Sequence, residues 1–207
     1  MSREFFPDPI VGWVYCTCIG LLTGVAAYID TQTAKIPNRL NFLILGTGLI
    51  ANIIRSGWMG SLDKPLWLFE TGSIWWGMID GLIFATLGFL VAFVGMFAFW
   101  LFGLCGGGDV KLLAAVGGWI GLSVHLLFVW LMSIVALFLW TLLRILTRGF
   151  SPKTLKKTVH SLSQQSGANA NPRNPVRVTY SLPIAVATIL VLLWVHRYEL
   201  LLVAPPQ

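Results

Sequence analysis

The sequence predicts an all-α, polytopic membrane protein with about six transmembrane helices and both termini outside. Three observations carry that expectation. Of 207 residues, 57% are hydrophobic and only 11% are charged, whereas a soluble domain carries about 25% charged residues. The mean hydropathy of +0.79 comes from discrete apolar runs of membrane-spanning length. Basic residues gather in alternate connections between those runs, the asymmetry expected of cytoplasmic loops.

The first run, residues 10–29, is span-length and follows Arg3, Glu4, Pro7 and Asp8, which do not read as a cleavable signal. The second, 40–54, opens after Ile36-Pro37-Asn38. The third, 79–102, follows Trp75-Trp76 at its outer end. Trp13, Trp67, Trp100 and Trp194 also fall near run ends, where indole rings anchor at the interface.

The fourth run, 110–143, holds 34 residues. As one helix it would extend about 50 Å, beyond a hydrocarbon core of about 30 Å. Gly117-Gly118, Gly121 and Ser123 offer a break, which splits the run into 109–121 and 124–143. The sixth span is 182–203.

Charge tests the split. With it, the connections 30–39, 103–111 and 144–181 share one face. That face holds Lys35, Arg39, Lys111, Arg144, Arg148, Lys153, Lys156, Lys157, Arg173 and Arg177, ten of the fourteen basic residues. The opposite face keeps Arg3, Arg55, Lys64 and Arg197. The first face is therefore cytoplasmic. Residues 1–207 read as a single membrane-embedded domain, and the polar stretch 149–178 reads as a cytoplasmic loop within it.

Several function classes fall away. No basic cluster interleaved with aromatics marks a nucleic-acid surface, so the formal charge of +6 reads as topology. Cys16, Cys18 and Cys105 lie in or beside apolar runs and read as small apolar fillers. His125, His160 and His196 are scattered, without metal-ligand spacing. No metal and no cofactor is expected.

Two carboxylates stand out. Asp30 closes the first run, and Asp109 closes Gly106-Gly107-Gly108-Asp109 between two apolar stretches. A carboxylate at a membrane boundary is expensive and marks chemistry, transport or a partner. The derived topology brings both to the cytoplasmic face. Each has a plainer account, Asp109 as a helix N-cap and Asp30 as a boundary residue. Neither account explains the shared face or the three glycines.

Asp80 opens the third span at the far face, about 25 residues before Cys105, or roughly 37 Å if helical. It reads as an outer-interface residue or cap. Glu4, Asp8, Asp63, Glu70 and Glu199 read as solvated charges in loops or tails.

A carboxylate pair suits peptide hydrolysis when one member is charged and the other protonated. The charged one takes a proton from water, and the neutral one donates to the scissile carbonyl. Glycines beside such a pair leave room for an extended substrate strand.

These residues resemble a known family. Gly106-Gly107-Gly108-Asp109 fits the GxGD motif of intramembrane aspartic peptidases, and Val110-Lys111-Leu112 continues it as in type IV prepilin peptidases. Asp30 with Ile36-Pro37-Asn38 resembles that family's first aspartate region. The resemblance covers roughly residues 10–145, plus Leu182-Pro183-Ile184-Ala185. It is closest to the small, peptidase-only members associated with Flp or tight-adherence pili.

The resemblance implies an aspartic endopeptidase with Asp30 and Asp109 as the catalytic pair. Gly106, Gly107, Gly108, Ile36, Pro37 and Asn38 would frame the site. It implies cleavage of the basic leader of prepilin or pseudopilin precursors at the cytoplasmic face of a cell inner membrane. The larger members carry paired CxxC zinc motifs and also methylate the new N-terminus. No such pair occurs here, so methyl transfer is not implied. Presenilin and signal-peptide peptidases pair GxGD with Pro-Ala-Leu, whereas this chain has Pro183-Ile184-Ala185.

Lys35, Arg39 and Lys111 read as topology anchors for lipid headgroups. They would repel a basic leader, so none is assigned to leader binding. Two other classes compete. A proton-coupled transporter would place its carboxylates near the midplane, often in repeated halves. A non-catalytic pilus or secretion assembly protein would tolerate loss of either aspartate.

The topology yields a direct test. Single cysteines at Ser163 or Asn169, in a background lacking Cys16, Cys18 and Cys105, should resist a membrane-impermeant thiol reagent on intact cells. They should react after lysis. Ready labelling before lysis would reverse the topology.

Overall fold

A computed structural model of the chain describes residues 5–33, 35–69, 73–102, 105–148 and 180–201. The polar loop 149–178 lies outside these. The described residues form helices α1 (Pro9–Thr33), α2 (Asn38–Ser61), α3 (Ile74–Leu101), α4 (Gly107–Ile120), α5 (Val124–Arg148) and α6 (Ser181–Val195), and no strand among them. Three helices, α1, α2 and α3, are long and apolar enough to cross a membrane. Helix α6 and the Val124–Leu139 part of α5 are apolar but shorter.

The outward faces of the long helices are apolar. Ile10, Leu21, Ile50, Ile54, Val94 and Leu131 are all more than half exposed. Contiguous apolar surface of this kind needs a non-aqueous neighbour, and lipid supplies it.

Helix α4 occupies the centre and packs against every other helix. Val110 and the run Leu112–Ile120 are buried, and Lys111 is the exposed exception. Helix α3 comes close because neither chain has a side chain at the crossing. A Cβ at Gly88 would stand 2.4 Å from the Gly117 carbonyl oxygen, and one at Gly117 would stand 2.5 Å from that of Gly88. Small residues at a helix crossing gain close van der Waals packing, the main attraction between helices where the solvent is itself apolar.

The break predicted in the long apolar run falls at Gly121. Its φ of +72° is left-handed, and a Cβ there would meet the Phe84 ring at 1.9 Å, so only glycine fits. Three residues on, α5 begins. The turn returns one bond to the core, since the Leu122 N–H donates to the Phe84 carbonyl at 3.1 Å.

Stopping a helix here leaves its last carbonyls without intrahelical donors. Where water is scarce, each orphan is costly. Two buried side chains satisfy them. The Asn52 Nδ2 amide donates to the carbonyls of Gly118 (3.0 Å) and Trp119 (2.8 Å). The Tyr15 hydroxyl donates to the Trp119 carbonyl as well. The Trp119 indole N–H in turn reaches the Ile44 carbonyl at 2.7 Å. Helices α1, α2 and α4 are thus tied at one buried point.

Replacing Asn52 by Leu removes the amide donor and strands these carbonyls in an apolar setting. The expected cost is about 1–3 kcal/mol, read as a lower melting temperature in detergent. Ile50→Ala, on the lipid-facing side of the same helix, should change it far less.

Candidate functional site

Asp30 lies near the end of α1, and Asp109 lies in the first turn of α4. Seventy-nine residues apart in sequence, the two carboxyl groups come within electrostatic reach of one another at one end of the bundle. Like charges so placed resist joint ionisation.

Each carboxylate is held differently. Asp30 is buried, and its Oδ2 accepts a hydrogen bond from the Ser181 hydroxyl at 2.5 Å. Ser181 is fully buried at the first residue of α6. The chain's last helix therefore positions the first aspartate. Asp109 is partly buried and accepts from the Gly106 N–H at 3.1 Å. That bond ties the carboxylate back to the residue preceding its own helix, and among the described residues its other oxygen has no hydrogen-bond donor.

Ser181 and its neighbour Tyr180 carried no sequence signal of their own. The resemblance began one residue later, at Leu182. Tyr180 lies close enough to Asp109 to feel its charge. Burial, then Cys105 and Asp109, hold its phenol above the usual range, so it stays a neutral hydroxyl. Cys105 is likewise pushed up to about 11, by burial first and Asp109 second, and remains a thiol. That fits the expectation of a small apolar filler.

The glycines do not use left-handed backbone, since Gly121 is the only described glycine with positive φ. Their contribution is space. A Cβ at Gly107 would meet nothing closer than 3.9 Å, and one at Gly108 nothing closer than 3.8 Å, from the Ile36 side chain. A Cβ at Gly106 would sit 3.1 Å from the Asp109 Oδ2. The edge beside Asp109 is open.

Ile36-Pro37-Asn38 joins this edge. Ile36 packs beside Gly108. Pro37 precedes α2 with φ −60° and ψ 135°, and its carbonyl accepts the Leu40 and Asn41 N–H groups that start the helix. Asn38 Oδ1 accepts from Lys111 Nζ at 2.9 Å. Lys111 is therefore more than the topology anchor its position implied, because it bridges α4 to the start of α2.

Asp80 sits at the other end, about 30 Å away along α3. It is not a helix cap, and it is almost fully buried. Its carboxylate accepts the backbone N–H groups of Trp67 (3.1 Å) and Leu68 (2.6 Å). Glu199, expected as a solvated charge, accepts the N–H groups of Phe5 and Phe6 at 3.0–3.1 Å. Arg55 is buried too. Its Nη1 donates to the Phe5 carbonyl at 2.7 Å, and its guanidinium lies 3.9 Å from the Phe5 ring centroid. These charges bind the connections at the far end of the bundle and hold their own chain's backbone. Among the described residues, no group of three or more His, Cys, Asp or Glu side chains could hold a metal.

Comparison with known proteins adds one finding. No curated protein and no solved structure matches the chain significantly. The model of the type IV leader peptidase family matches residues 16–142, well over half of the 207. That span includes both Asp30 and Asp109, and the chain belongs to the type IV leader peptidase family.

Proposed function

We propose that this membrane protein is an aspartic endopeptidase that removes the basic N-terminal leader of prepilin or pseudopilin precursors, with Asp30 and Asp109 as its catalytic pair. The observation that carries the reading is the convergence of these two carboxylates beside an open glycine edge. The far-end carboxylates are engaged by backbone donors. Among the described residues, Asp109 keeps one oxygen without such a donor.

In this mechanism the pair shares one proton. The charged member removes a proton from a water molecule placed between the two groups. The neutral member donates its proton to the scissile carbonyl, and a tetrahedral intermediate forms and collapses with proton return to the leaving amine. The Ser181 hydroxyl fixes the rotamer of Asp30 and occupies one of its lone pairs. The Gly106 N–H does the same for Asp109. An extended substrate strand would lie along Gly106–Gly108, with Ile36 at its side.

The same reading takes the chain to cross a cell inner membrane six times, with the site at the cytoplasmic face. The ten basic residues expected on that face support it. At fourteen residues, α4 would be about 21 Å long. It would begin at the face and end inside the bilayer, which suits its buried carbonyl partners.

Cleavage of a purified prepilin in liposomes tests the pair. Asp30→Asn and Asp109→Asn should each abolish turnover in folded, inserted protein, and the double variant should be no worse than either single. Asp80→Asn should retain turnover per folded molecule. Normal activity from Asp109→Asn would mean that the wrong carboxylates have been chosen.

Two finer outcomes follow from the geometry. The rate should fall at both low and high pH, because either full protonation or full ionisation of the pair stops proton exchange. Ser181→Ala should lower kcat about tenfold, the loss of roughly 1.4 kcal/mol from one buried hydrogen bond, with little change in KM. It should also displace the acidic limb of the pH profile. Ser181→Thr should restore part of the rate.

A further inference from the structure

A groove of about 180 Å³ opens between α2, α3 and α4 on the half of the bundle that holds the aspartates. Its lining is apolar over most of its length, with Phe42, Leu45, Phe89, Phe93, Ala114 and Ala115. At one end stand Asn38, Asn41 and Lys111. Seven helical steps of α2, from Asn38 to Leu45, run from the polar end into the apolar part, about 10 Å.

Asn41 is the anomaly. It is 6% exposed, and neither its Nδ2 nor its Oδ1 has a hydrogen-bond partner. A buried carboxamide with both functions unmet is costly. Leucine would pack there without that cost. Lys111 is exposed and spends one donor on Asn38 Oδ1, which leaves donors for another acceptor. Phe42, at 73% exposure, flanks the outward side.

The groove adjoins the proposed active site through Asn38 but opens on another side of α4. Lys111 lies two residues from Asp109, a turn of about 200° around α4. On α4, the groove residue Lys111 therefore projects from a different side of the helix than Asp109.

We infer that this groove is a binding site for a glycerophospholipid. The order of its lining follows the order of such a molecule. The cation meets the phosphate, the Asn41 amide donates to an ester carbonyl and accepts from a headgroup hydroxyl or amine, and the apolar channel takes the first part of an acyl chain. The setting supplies the ligand, because α2 and α3 are membrane-length helices with apolar outer faces. An anionic headgroup binds best, since Lys111 brings positive charge and none of the groove's lining residues is acidic.

Lipid retention tests this without reference to cleavage, so it stands or fails apart from the peptidase reading. Purified protein is exchanged into mild detergent and examined by native mass spectrometry after addition of phosphatidylglycerol or phosphatidylcholine. One phosphatidylglycerol should persist at detergent levels that strip the rest, and phosphatidylcholine should persist less. Asn41→Leu and Lys111→Ala should each reduce the retained fraction at least fivefold. Val94→Ala, on the open outer face of α3, should not. Asn41→Leu should melt no lower than the parent in lipid-free detergent, because no apo bond is lost. In liposomes, a phosphatidylglycerol with a photoreactive acyl chain should label the peptides containing Phe42 and Phe93. Equal retention by Asn41→Leu, labelling spread evenly over all outer faces, or displacement of the label by a prepilin peptide would each overturn the proposal. The last would assign the groove to substrate.

Discussion

The short central helix imposes the constraint on which the rest of the structure depends. Helix α4 ends inside the bundle, so its final carbonyls must find donors where water is scarce. Asn52 and Tyr15 provide them. This fixes α4 along its axis against α1 and α2. The glycine crossing with α3 fixes it sideways. The start of α4, and with it Asp109, is then held by packing along the whole helix. A site on a rigid helix end is better defined than one on a loop.

The ends of the bundle use charge in opposite ways. At the far end, Arg55, Asp80 and Glu199 are spent on backbone groups of the connections. Asp80 and Glu199 are engaged locally by backbone donors, while the buried Arg55 Nε has no hydrogen-bond partner among the described residues. At the near end, two carboxylates lie within electrostatic reach, each with one hydrogen-bond donor among the described residues. Placing like charges near one another is poor for stability. Such a cost is tolerated where it is the condition for sharing a proton. Ser181 shows how closely the fold supports it, because the last described helix, from beyond the polar loop, brings its first residue onto the first aspartate.

The family match and the geometry are independent of one another. The match covers residues 16–142 and stops before Ser181. The proposed site needs α6 as well, so the hydrogen bond to Asp30 extends the functional unit beyond the matched region.

The sequence by itself determined the all-helical class, the break near Gly121, and the two carboxylates with their flanking motifs. Those follow from local causes: run length against helix rise, the φ freedom of glycine, and the cost of charge in apolar surroundings. It also separated Asp80 from the pair by distance along α3. It misjudged what Asp80, Glu199 and Arg55 do, because their partners, the backbone of residues 5–6 and 67–68, are set by where the connections fold. Ser181, Tyr180 and Asn41 were silent, since a lone hydroxyl or amide in an apolar run has no periodic or motif signature. Tertiary structure alone decided that Ser181 meets Asp30, that Asn52 completes the end of α4, and that Asn41 faces an open groove. Each is a contact between residues distant in sequence, fixed by the packing of helices around α4.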